Sequence, residues 1–204
     1  MTLSQRLFAA CYDLLNARVE SYIIPYREKT AGLSWGDTLE IGGGTGANLP
    51  YYPSDVRLTM VEPNPHMIKR LANKAETLGR QLTIVPDDGE NILLPDASFD
   101  TIVTTLVLCM VDDLEKVVME VRRLLRPNGD FFFYEHVVSQ RASGKKWQDA
   151  LNPVWKILTT GCNLNRDIEG CIKAAGFREV DTFHFDLSVG LPVTIPNIIG
   201  VARL

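Results

Sequence analysis

A glycine-rich run and an acid that follows it are the residues of this sequence whose types and spacing best suit chemistry. Glu40 is followed by Gly42, Gly44 and Gly46, and Glu62 stands sixteen residues after the last of these glycines. Glycines directly after a strand let the backbone approach a ligand closely, and a carboxylate after the next strand can accept hydrogen bonds from ribose hydroxyls. The spacing therefore predicts an open parallel sheet that binds an adenosine-containing cofactor at the carboxyl ends of its strands.

Three further segments indicate which adenosine cofactor this site would take. They are Asp87–Glu90, Leu94–Asp100 and Leu124–Phe131, and each adjoins an apolar run. In this order the segments resemble the class I S-adenosylmethionine-dependent methyltransferases, whose loop reads E-x-G-x-G-x-G and whose turn before the fifth strand reads L-R-P-G-G. Asn128 stands where that turn has a glycine, and asparagine also tolerates a left-handed backbone.

The resemblance covers about residues 36–204 and implies which groups hold S-adenosylmethionine. Glu40 and the three glycines would hold its methionine and ribose end, and Glu62 would accept hydrogen bonds from its ribose hydroxyls. The implied cofactor-binding residues are Glu40, Gly42, Gly44, Gly46, Glu62, Pro63, Asp88, Gly89, Thr105 and Leu106.

The adenine and the sulfonium would lie at the next two strand ends. Asp88 and Gly89 are expected beside the adenine, with Asp87 as the alternative to Asp88 for the contact with its amine. Thr105 and Leu106 end the fourth predicted strand, directly under the expected sulfonium. These positions place the transferred methyl group near the ends of the fourth and fifth strands.

The second half of the chain carries a more specific resemblance, to the methyltransferase-like alkyl-thiol S-methyltransferases, which methylate small thiols and hydrogen sulfide. The matching segments are Thr105–Cys109, Glu135–Val137, Trp147–Gln148, Asn152–Trp155, Gly161–Leu164 and Arg166. Three of them lie in an insert at about residues 137–165, where acceptor specificity usually resides. The resemblance implies a small-molecule thiol as acceptor and S-adenosylhomocysteine as coproduct. The predicted substrate-binding residues are Tyr12, Tyr22, His136, Trp147, Trp155, Cys162 and Arg166.

Methyl transfer to a thiol needs little acid–base help, because the sulfonium is already activated and alignment with desolvation supplies most of the acceleration. Other acceptors more often need a base, and His136, at the end of the fifth predicted strand, is the candidate. Thr105 is the other predicted catalytic position. Arg166 would either bind the polar part of a substrate or cap backbone carbonyls, and Cys162 is not expected to act as a nucleophile.

Other functions share these motifs. The same cofactor residues would serve a methyltransferase that acts on a quinone carbon, a phospholipid amine, or a natural-product hydroxyl or amine. A protein that binds S-adenosylmethionine without turnover would keep the loop and the acids as well. A nicotinamide-dependent dehydrogenase is disfavoured, because its G-x-G-x-x-G loop needs a glycine where Ala47 stands, although alanine is sometimes allowed there.

Composition places the chain among globular proteins, with 204 residues, 46% hydrophobic and 23% charged. It predicts one domain over 1–204, with an N-terminal helical lid at 1–35 and a core at 36–204. A net charge of −4 without a basic run disfavours nucleic acid as a partner. The four scattered cysteines form no C-x-x-C pair, so no metal is expected.

The N-terminus shows neither a signal peptide nor an apolar anchor, and no apolar run is long enough to span a bilayer. These features predict a cytoplasmic protein, either a monomer or a dimer. The amphipathic helix predicted at 4–23 would cover the sheet, or it would act as a lid whose tyrosines Tyr12, Tyr22 and Tyr26 roof the substrate pocket. Ser4 would cap this helix, and Pro25 would break or kink it.

Alternation of apolar runs with helical patterns predicts an α/β fold. The sheet is expected to be Rossmann-like, doubly wound, mostly parallel and seven-stranded, with helices on both faces. Strands are predicted near 38–41, 57–61, 81–85, 99–105, 130–135, 179–186 and 197–203, and helices near 4–23, 46–52, 64–78, 112–125 and 165–175. The family resemblance implies that the last strand runs antiparallel between its neighbours.

Overall fold

The computed structural model describes residues 20–159, 161–188 and 194–204, in which strands and helices alternate along most of the chain. The strands are β1 (Asp37–Ile41), β2 (Arg57–Val61), β3 (Leu82–Val85), β4 (Phe99–Thr105), β5 (Leu125–His136), β6 (Glu179–Ser188) and β7 (Thr194–Arg203). The helices are α1 (20–28), α2 (Pro65–Thr77), α3 (Leu114–Leu124), α4 (Ala142–Leu158) and α5 (Ile168–Ala174). None of the described helices combines the length and the apolar character that crossing a membrane requires.

The seven strands form one sheet in the order β3-β2-β1-β4-β5-β7-β6. Strands β1 to β5 pair in parallel, and β7 runs antiparallel between β5 and β6. Both the predicted fold class and the antiparallel last strand are therefore confirmed. The strand order reverses between β1 and β4, and ligands of open α/β sheets bind in the crevice at the carboxyl ends of such strands.

The helices begin where the sequence supplies capping groups. The Asn64 Oδ1 accepts a hydrogen bond of 3.0 Å from the His66 amide, and Pro65 is the first residue of α2. Asp113 caps α3 and Asp167 caps α5 in the same way. These side chains satisfy amide groups that have no partner in the first turn of a helix.

Helices cover both faces of the sheet. On one face, helices α3 and α5 pack against β5. The buried side chains of this layer are Val117, Val118, Val121, Phe131, Phe133, Ile168 and Ile172. On the other face α2 packs through Leu71 and Ala75 against Met60 and Val103. The apolar sides of these helices thus face the sheet and fix the positions of the strand ends.

The described end of the N-terminal segment lies on the sheet. The Tyr26 ring stacks on Tyr134 and Phe185, with ring centroids 4.8 Å and 4.5 Å away. Helix α1 continues past Pro25 to residue 28, so of the two predicted effects of this proline, a break or a kink, the break does not occur. The packing of Tyr26 holds this turn in place although proline donates no backbone hydrogen bond. Ser4 and Tyr12 lie outside the described residues.

Two elements differ from the prediction. Residues 44–51 form consecutive turns instead of the helix predicted at 46–52, because Gly46 has a φ of +80° and Pro50 has no amide hydrogen. Helix α4 occupies much of the insert at 137–165, for which no helix was predicted. Pro153 lies inside α4 and interrupts the helical pattern on which the prediction relied.

Candidate active site

The glycine-rich loop follows β1 at the carboxyl edge of the sheet. Gly42, Gly44 and Gly46 have φ angles of +76°, +55° and +80°, which residues with a Cβ rarely adopt. A Cβ on Gly42 would lie 2.8 Å from the Cβ of Val107, and one on Gly46 would lie 2.8 Å from the Leu49 Cδ1. The loop therefore needs glycine at these two positions for its own packing as well as for its backbone conformation.

Glu62 follows β2 and is 5% exposed. Its Oε2 accepts a hydrogen bond of 2.9 Å from the Gly44 amide, and its Oε1 accepts one of 2.8 Å from the Asn64 amide. Burial raises the pKa of Glu62, and the two amide contacts oppose that rise. A carboxylate has about four acceptor positions. Each oxygen thus has capacity for a further hydrogen bond, which suits a pair of neighbouring hydroxyl groups.

Glu40 lies at the centre of a buried polar network. Its two carboxylate oxygens accept hydrogen bonds of 2.8 Å from the Asn48 Nδ2 and from the Tyr52 hydroxyl. The Asn48 side chain also accepts one of 2.6 Å from the Arg27 Nη1 and donates one of 3.0 Å to the Thr105 hydroxyl. Burial raises the pKa of Glu40 to about 7, against the opposing effect of Tyr52 and Asn48. The network links α1, the glycine loop and β4.

The acidic segment after β3 lies beside the glycine loop. A Cβ on Gly89, whose φ is +88°, would lie 2.9 Å from the Ile41 Cγ2, so this glycine packs on the end of β1. The Asp87 carboxylate accepts a hydrogen bond of 3.1 Å from the Gly89 amide, and the Asp88 carboxylate accepts one of 3.0 Å from the Glu90 amide. Asp88 is exposed whereas Asp87 is half-buried, so Asp88 is the more accessible of the two.

The turn after β4 has a strained backbone that Glu135 supports. Leu106 has a φ of +56°, an unusual value for a residue with a large side chain. The fully buried Glu135 accepts hydrogen bonds of 3.1 Å from the amides of Val107 and Leu108. Burial raises the pKa of Glu135 to about 7. This carboxyl group thus anchors the turn that the sequence predicts under the sulfonium.

His136 and Cys162, both predicted substrate-binding residues, meet a third residue that was assigned no role. The His136 Nε2 lies 2.7 Å from the Cys162 Sγ, which lies 3.6 Å from the Cys109 Sγ. All three side chains are buried. The contacts from Cys109 and His136 lower the pKa of Cys162, and the same thiol pair raises the pKa of Cys109. Cys162 is therefore the more acidic of the two thiols.

A cavity of about 840 Å³ lies between α4 and the start of β7. Its lining includes Trp147, Leu151, Trp155 and Ile195. Trp155 also packs against the buried cluster that contains Cys162, so the cavity and the Cys162 sulfur share a wall. Trp147 is 70% exposed, which leaves this side of the cavity open to solvent. The two predicted tryptophans are thus brought together on one apolar surface.

Other predicted site residues lie apart from this cavity. The Arg166 Nη1 donates a hydrogen bond of 2.8 Å to the Leu108 carbonyl, and its Nη2 donates one of 3.4 Å to a second backbone carbonyl. Arg166 therefore takes the backbone-capping role that was the alternative to substrate binding. Tyr22 is 44% exposed on α1, and Pro63 is exposed after β2. Tyr12 lies outside the described residues.

Several residues of the site carried no predicted role, and they are Arg27, Asn48, Tyr52, Cys109 and Glu135. Asn48 could have been assigned to the site from the sequence, because it follows the last glycine of the loop by two positions. The others reach the site only through the fold, since Arg27 comes from α1 and Cys109 from the turn after β4.

The groups along the carboxyl edge fit S-adenosylmethionine chemically. The ribose hydroxyls and the adenine amine of that cofactor donate hydrogen bonds, and the facing residues Glu62 and Asp88 are acceptors. Within the loop the Gly44 amide donates to Glu62, whereas the amides of Gly42 and Gly46 donate to backbone carbonyls. The chemistry of the donors and acceptors thus agrees with the predicted cofactor.

Comparison with known proteins identifies relatives of this chain. Residues 39–133 match the family described as Methyltransferase domain. The thiol S-methyltransferase TMT1A of Homo sapiens is 36% identical over 170 residues, which cover 80% of this chain and 69% of that protein. The thiol S-methyltransferase TMT1B of Rattus norvegicus is 43% identical over 147 residues, which cover 70% of this chain and 60% of that protein.

Solved structures of low sequence identity share the fold. An S-adenosylmethionine-dependent methyltransferase from Thermotoga maritima has a TM-score of 0.69 at 19% identity and covers 97% of this chain and 98% of its own. The phosphoethanolamine N-methyltransferase 2 of Haemonchus contortus has a TM-score of 0.64 at 14% identity, over 88% of this chain and 51% of that one. Together with the identity to TMT1A, these findings show that the chain belongs to the class I S-adenosylmethionine-dependent methyltransferases, in the family of the thiol S-methyltransferases.

Proposed function

We propose that this protein transfers the methyl group of S-adenosylmethionine to the sulfur of a small thiol that has an apolar organic part. The products are a methyl thioether and S-adenosylhomocysteine. The observation that carries the proposal is the position of the buried sulfur and imidazole groups. Cys109 lies in the turn that follows Leu106, and His136 ends the neighbouring strand, so these groups adjoin the predicted methyl position.

The cofactor would lie across the ends of β1, β2 and β3. Glu62 would accept hydrogen bonds from the two ribose hydroxyls, and Asp88 would accept one from the adenine amine. Each carboxylate oxygen of Glu40 accepts one hydrogen bond, from Asn48 or from Tyr52, so Glu40 holds the turns that follow β1 and each oxygen keeps capacity for one more bond from the cofactor. When bound, S-adenosylmethionine supplies a methyl group on a positively charged sulfur, which is already activated for transfer.

The acceptor would enter through the cavity between α4 and β7. Trp147, Trp155 and Leu151 offer apolar surface to the organic part of the substrate, whose burial favours binding. The protein's main contribution to rate is then to align the two sulfur atoms and to exclude water from the space between them.

The environment of His136 favours a thiol over acceptors that need a base. The Nε2 of His136 contacts the Cys162 sulfur at 2.7 Å, so this nitrogen is engaged by the protein rather than directed at an acceptor. A thiol is partly ionised near neutral pH, and its thiolate is a strong nucleophile, so it needs no dedicated base. A phenol or an amine bound at the same place would lack that advantage.

The test compares matched acceptors that differ in the attacking atom. Purified protein is incubated with S-adenosylmethionine and with benzenethiol, phenol or aniline, and S-adenosylhomocysteine formation is measured. We expect turnover of benzenethiol at least about tenfold faster than that of the other two, because a thiolate is a much stronger nucleophile than un-ionised phenol or neutral aniline. Turnover of phenol or aniline alone would contradict the thiol assignment and would support another acceptor class. Glu62→Ala serves as the control that turnover depends on the cofactor site.

A further inference from the structure

Three ligand atoms of the kind that bind thiophilic metal ions converge at the ends of β4 and β5. The Cys109 Sγ, the His136 Nε2 and the Cys162 Sγ all lie within 4.8 Å of one another, and all three side chains are buried. Cysteine sulfur and imidazole nitrogen are the donors that Zn²⁺ prefers in proteins. The three residues come from three separate segments of the chain, and the two cysteines are 53 residues apart, so no single local motif contains the set.

We propose that Cys109, His136 and Cys162 bind one Zn²⁺ ion and leave its fourth coordination position for the thiol acceptor. The assignment of the open position to a thiol acceptor rests on the proposed function. The assignment of the metal site does not rest on it. Catalytic zinc sites use three protein ligands with one open position, and two cysteines with one histidine form such a set.

The observed separations approach those of a tetrahedral zinc site. Zinc–sulfur bonds of about 2.3 Å and zinc–nitrogen bonds of about 2.0 Å place two sulfurs about 3.8 Å apart and a sulfur and a nitrogen about 3.5 Å apart. The two sulfur atoms here are 3.6 Å apart. The His136 Nε2 and the Cys162 Sγ, at 2.7 Å, would separate by less than about 1 Å when an ion enters between them.

Charge favours a divalent ion at this buried position. Two thiolates and a neutral imidazole balance the two positive charges of Zn²⁺, so the filled site is neutral. A monovalent soft ion would leave one uncompensated negative charge, which is costly to bury.

Hydrogen bonds outside the cluster hold the ligands in position. The backbone amide and the side-chain amide of Asn163 donate to the Cys109 carbonyl at 2.9 Å and 3.1 Å, which fixes the loop of Cys162 against the turn of Cys109. Glu135 accepts from the Leu108 amide in the same turn. These bonds fix the backbone segments that carry Cys109 and Cys162, whereas the His136 Nδ1 is buried without a hydrogen-bond partner among the described residues.

The cluster lies between the predicted methyl position and the apolar cavity. The Cys109 Sγ lies 3.7 Å from the Leu106 carbonyl, at the end of β4. On the other side Trp155, which lines the cavity, packs against the buried cluster that contains Cys162. In this proposal the organic part of the acceptor lies in the cavity and its sulfur passes Trp155 to the open position.

The chemistry at this position is balanced. When the acceptor thiol binds the ion it loses its proton to solvent, as coordinated thiols do. An electron pair of its sulfur then forms the bond to the methyl carbon while the methyl–sulfonium bond breaks, and that electron pair stays with the departing sulfur. The neutral thioether is a weak ligand and leaves the ion.

Metal binding can be tested without any assay of activity. Reduced protein is loaded with Co²⁺ in place of Zn²⁺, and thiolate-to-cobalt charge-transfer absorption and metal content after dialysis are measured. We expect one ion per chain in the unaltered protein and in Cys171→Ser, whose half-buried thiol lies outside the cluster. Cys109→Ser and Cys162→Ser should bind at least about tenfold more weakly. If a variant fails to fold, cobalt binding by the unaltered protein is by itself the test of the metal site.

Two results would overturn the metal site. One is the absence of thiolate-to-cobalt absorption in reduced, unaltered protein, and the other is equal binding by Cys162→Ser. Formation of a Cys109–Cys162 disulfide without metal uptake by the reduced protein would assign the pair to redox chemistry instead.

The acceptor part of the inference is tested separately from the proposed function. Benzenethiol added to the cobalt form should shift its visible bands, and removal of Zn²⁺ with a chelator should slow methylation at least about tenfold until Zn²⁺ is restored. Full activity of the metal-free protein would overturn the role of the ion and leave the thiol methyltransferase function intact. Metal binding with no methylation of any thiol would overturn the proposed function and leave the metal site intact.

Discussion

Glu62 accepts a hydrogen bond of 2.9 Å from the amide of Gly44, and this contact joins the acid after β2 to the glycine loop after β1. The two parts of the motif that stand far apart in the sequence are thus one unit in the fold. Because the Glu62 carboxylate supports the loop and faces the predicted ribose position, its loss should weaken the binding of the cofactor.

Replacement of Glu62 by alanine is expected to weaken S-adenosylmethionine binding by about 1–3 kcal/mol, the cost of losing hydrogen bonds to a charged group. Isothermal titration calorimetry measures the change directly. Glu76→Ala, at an exposed position on α2, is the matched control and should bind the cofactor as the unaltered protein does. Unchanged affinity in Glu62→Ala would remove this residue from the cofactor site.

Two glycines allow the energetic cost of steric overlap to be measured separately from that of backbone strain. Gly42 and Gly79 both have positive φ, but a Cβ on Gly42 would overlap Val107 whereas one on Gly79 would meet nothing within 4 Å. Gly79→Ala should therefore lower the free energy of unfolding by about 1 kcal/mol, and Gly42→Ala by at least about 2 kcal/mol more. Urea denaturation compares the two variants, and equal losses would show that packing against Val107 is unimportant.

The buried carboxyl of Glu40 should make stability depend on pH. Burial raises the pKa of Glu40 to about 7 from an ordinary value of 4.5, so the folded state holds a proton that the unfolded state releases between these pH values. The contribution of Glu40 to stability is therefore greatest below pH 4.5 and is lost as pH rises to 7.

Glu40→Gln removes this titration and should flatten the profile. Between pH 5 and pH 8 the unaltered protein is expected to lose up to about 3 kcal/mol more of its free energy of unfolding than the variant does. Urea denaturation at the two pH values gives both differences, with Glu76→Gln as the control at an exposed position. A variant whose stability falls as steeply as that of the unaltered protein would refute the assignment.

Trp155 is expected to bind the organic part of the acceptor. Trp155→Ala should raise the KM for benzenethiol about tenfold and leave cofactor affinity unchanged, because the lost apolar contact is confined to the cavity. Hydrogen sulfide, which has no organic part, is the matched substrate and should show little change in KM. A similar rise in KM for both acceptors would mean that the tryptophan acts on the site in another way.

Arg166 provides a test between its two predicted roles. Since its guanidinium donates to the Leu108 carbonyl at 2.8 Å, Arg166→Met should lower the free energy of unfolding by about 1–3 kcal/mol and leave the KM for benzenethiol unchanged. Arg178→Met, at an exposed position, is the stability control. If the KM rose while stability was retained, Arg166 would belong to the acceptor site after all.

Much of the fold was predictable because its determinants are local. The glycine loop, the caps at Asn64 and Asp113 and the apolar runs each constrain only a few neighbouring residues. Alternation of strands and helices then allows few arrangements other than a parallel sheet. Even the replacement of glycine by Asn128 was consistent, since Asn128 adopts a φ of +65°.

The errors arose where tertiary contacts outweighed local preference. The helix predicted at 4–23 stopped short of Pro25, and no helix was predicted around Pro153, yet α1 and α4 contain these prolines. The stacking of Tyr26 on Tyr134 stabilises the first of these helices from outside its own sequence. The helix predicted at 46–52 is absent because the backbone at Gly46 is left-handed.

The sequence alone was sufficient for the fold class, the cofactor loop and the acid that follows β2, because these depend on residues of defined type at short spacing. Only the tertiary structure showed that Arg27 reaches Asn48 beside Glu40, and that Cys109, His136 and Cys162 meet. Those contacts depend on the order of strands in the sheet and on the placement of the insert. Both are decided by packing between distant segments, which spacing along the chain does not record.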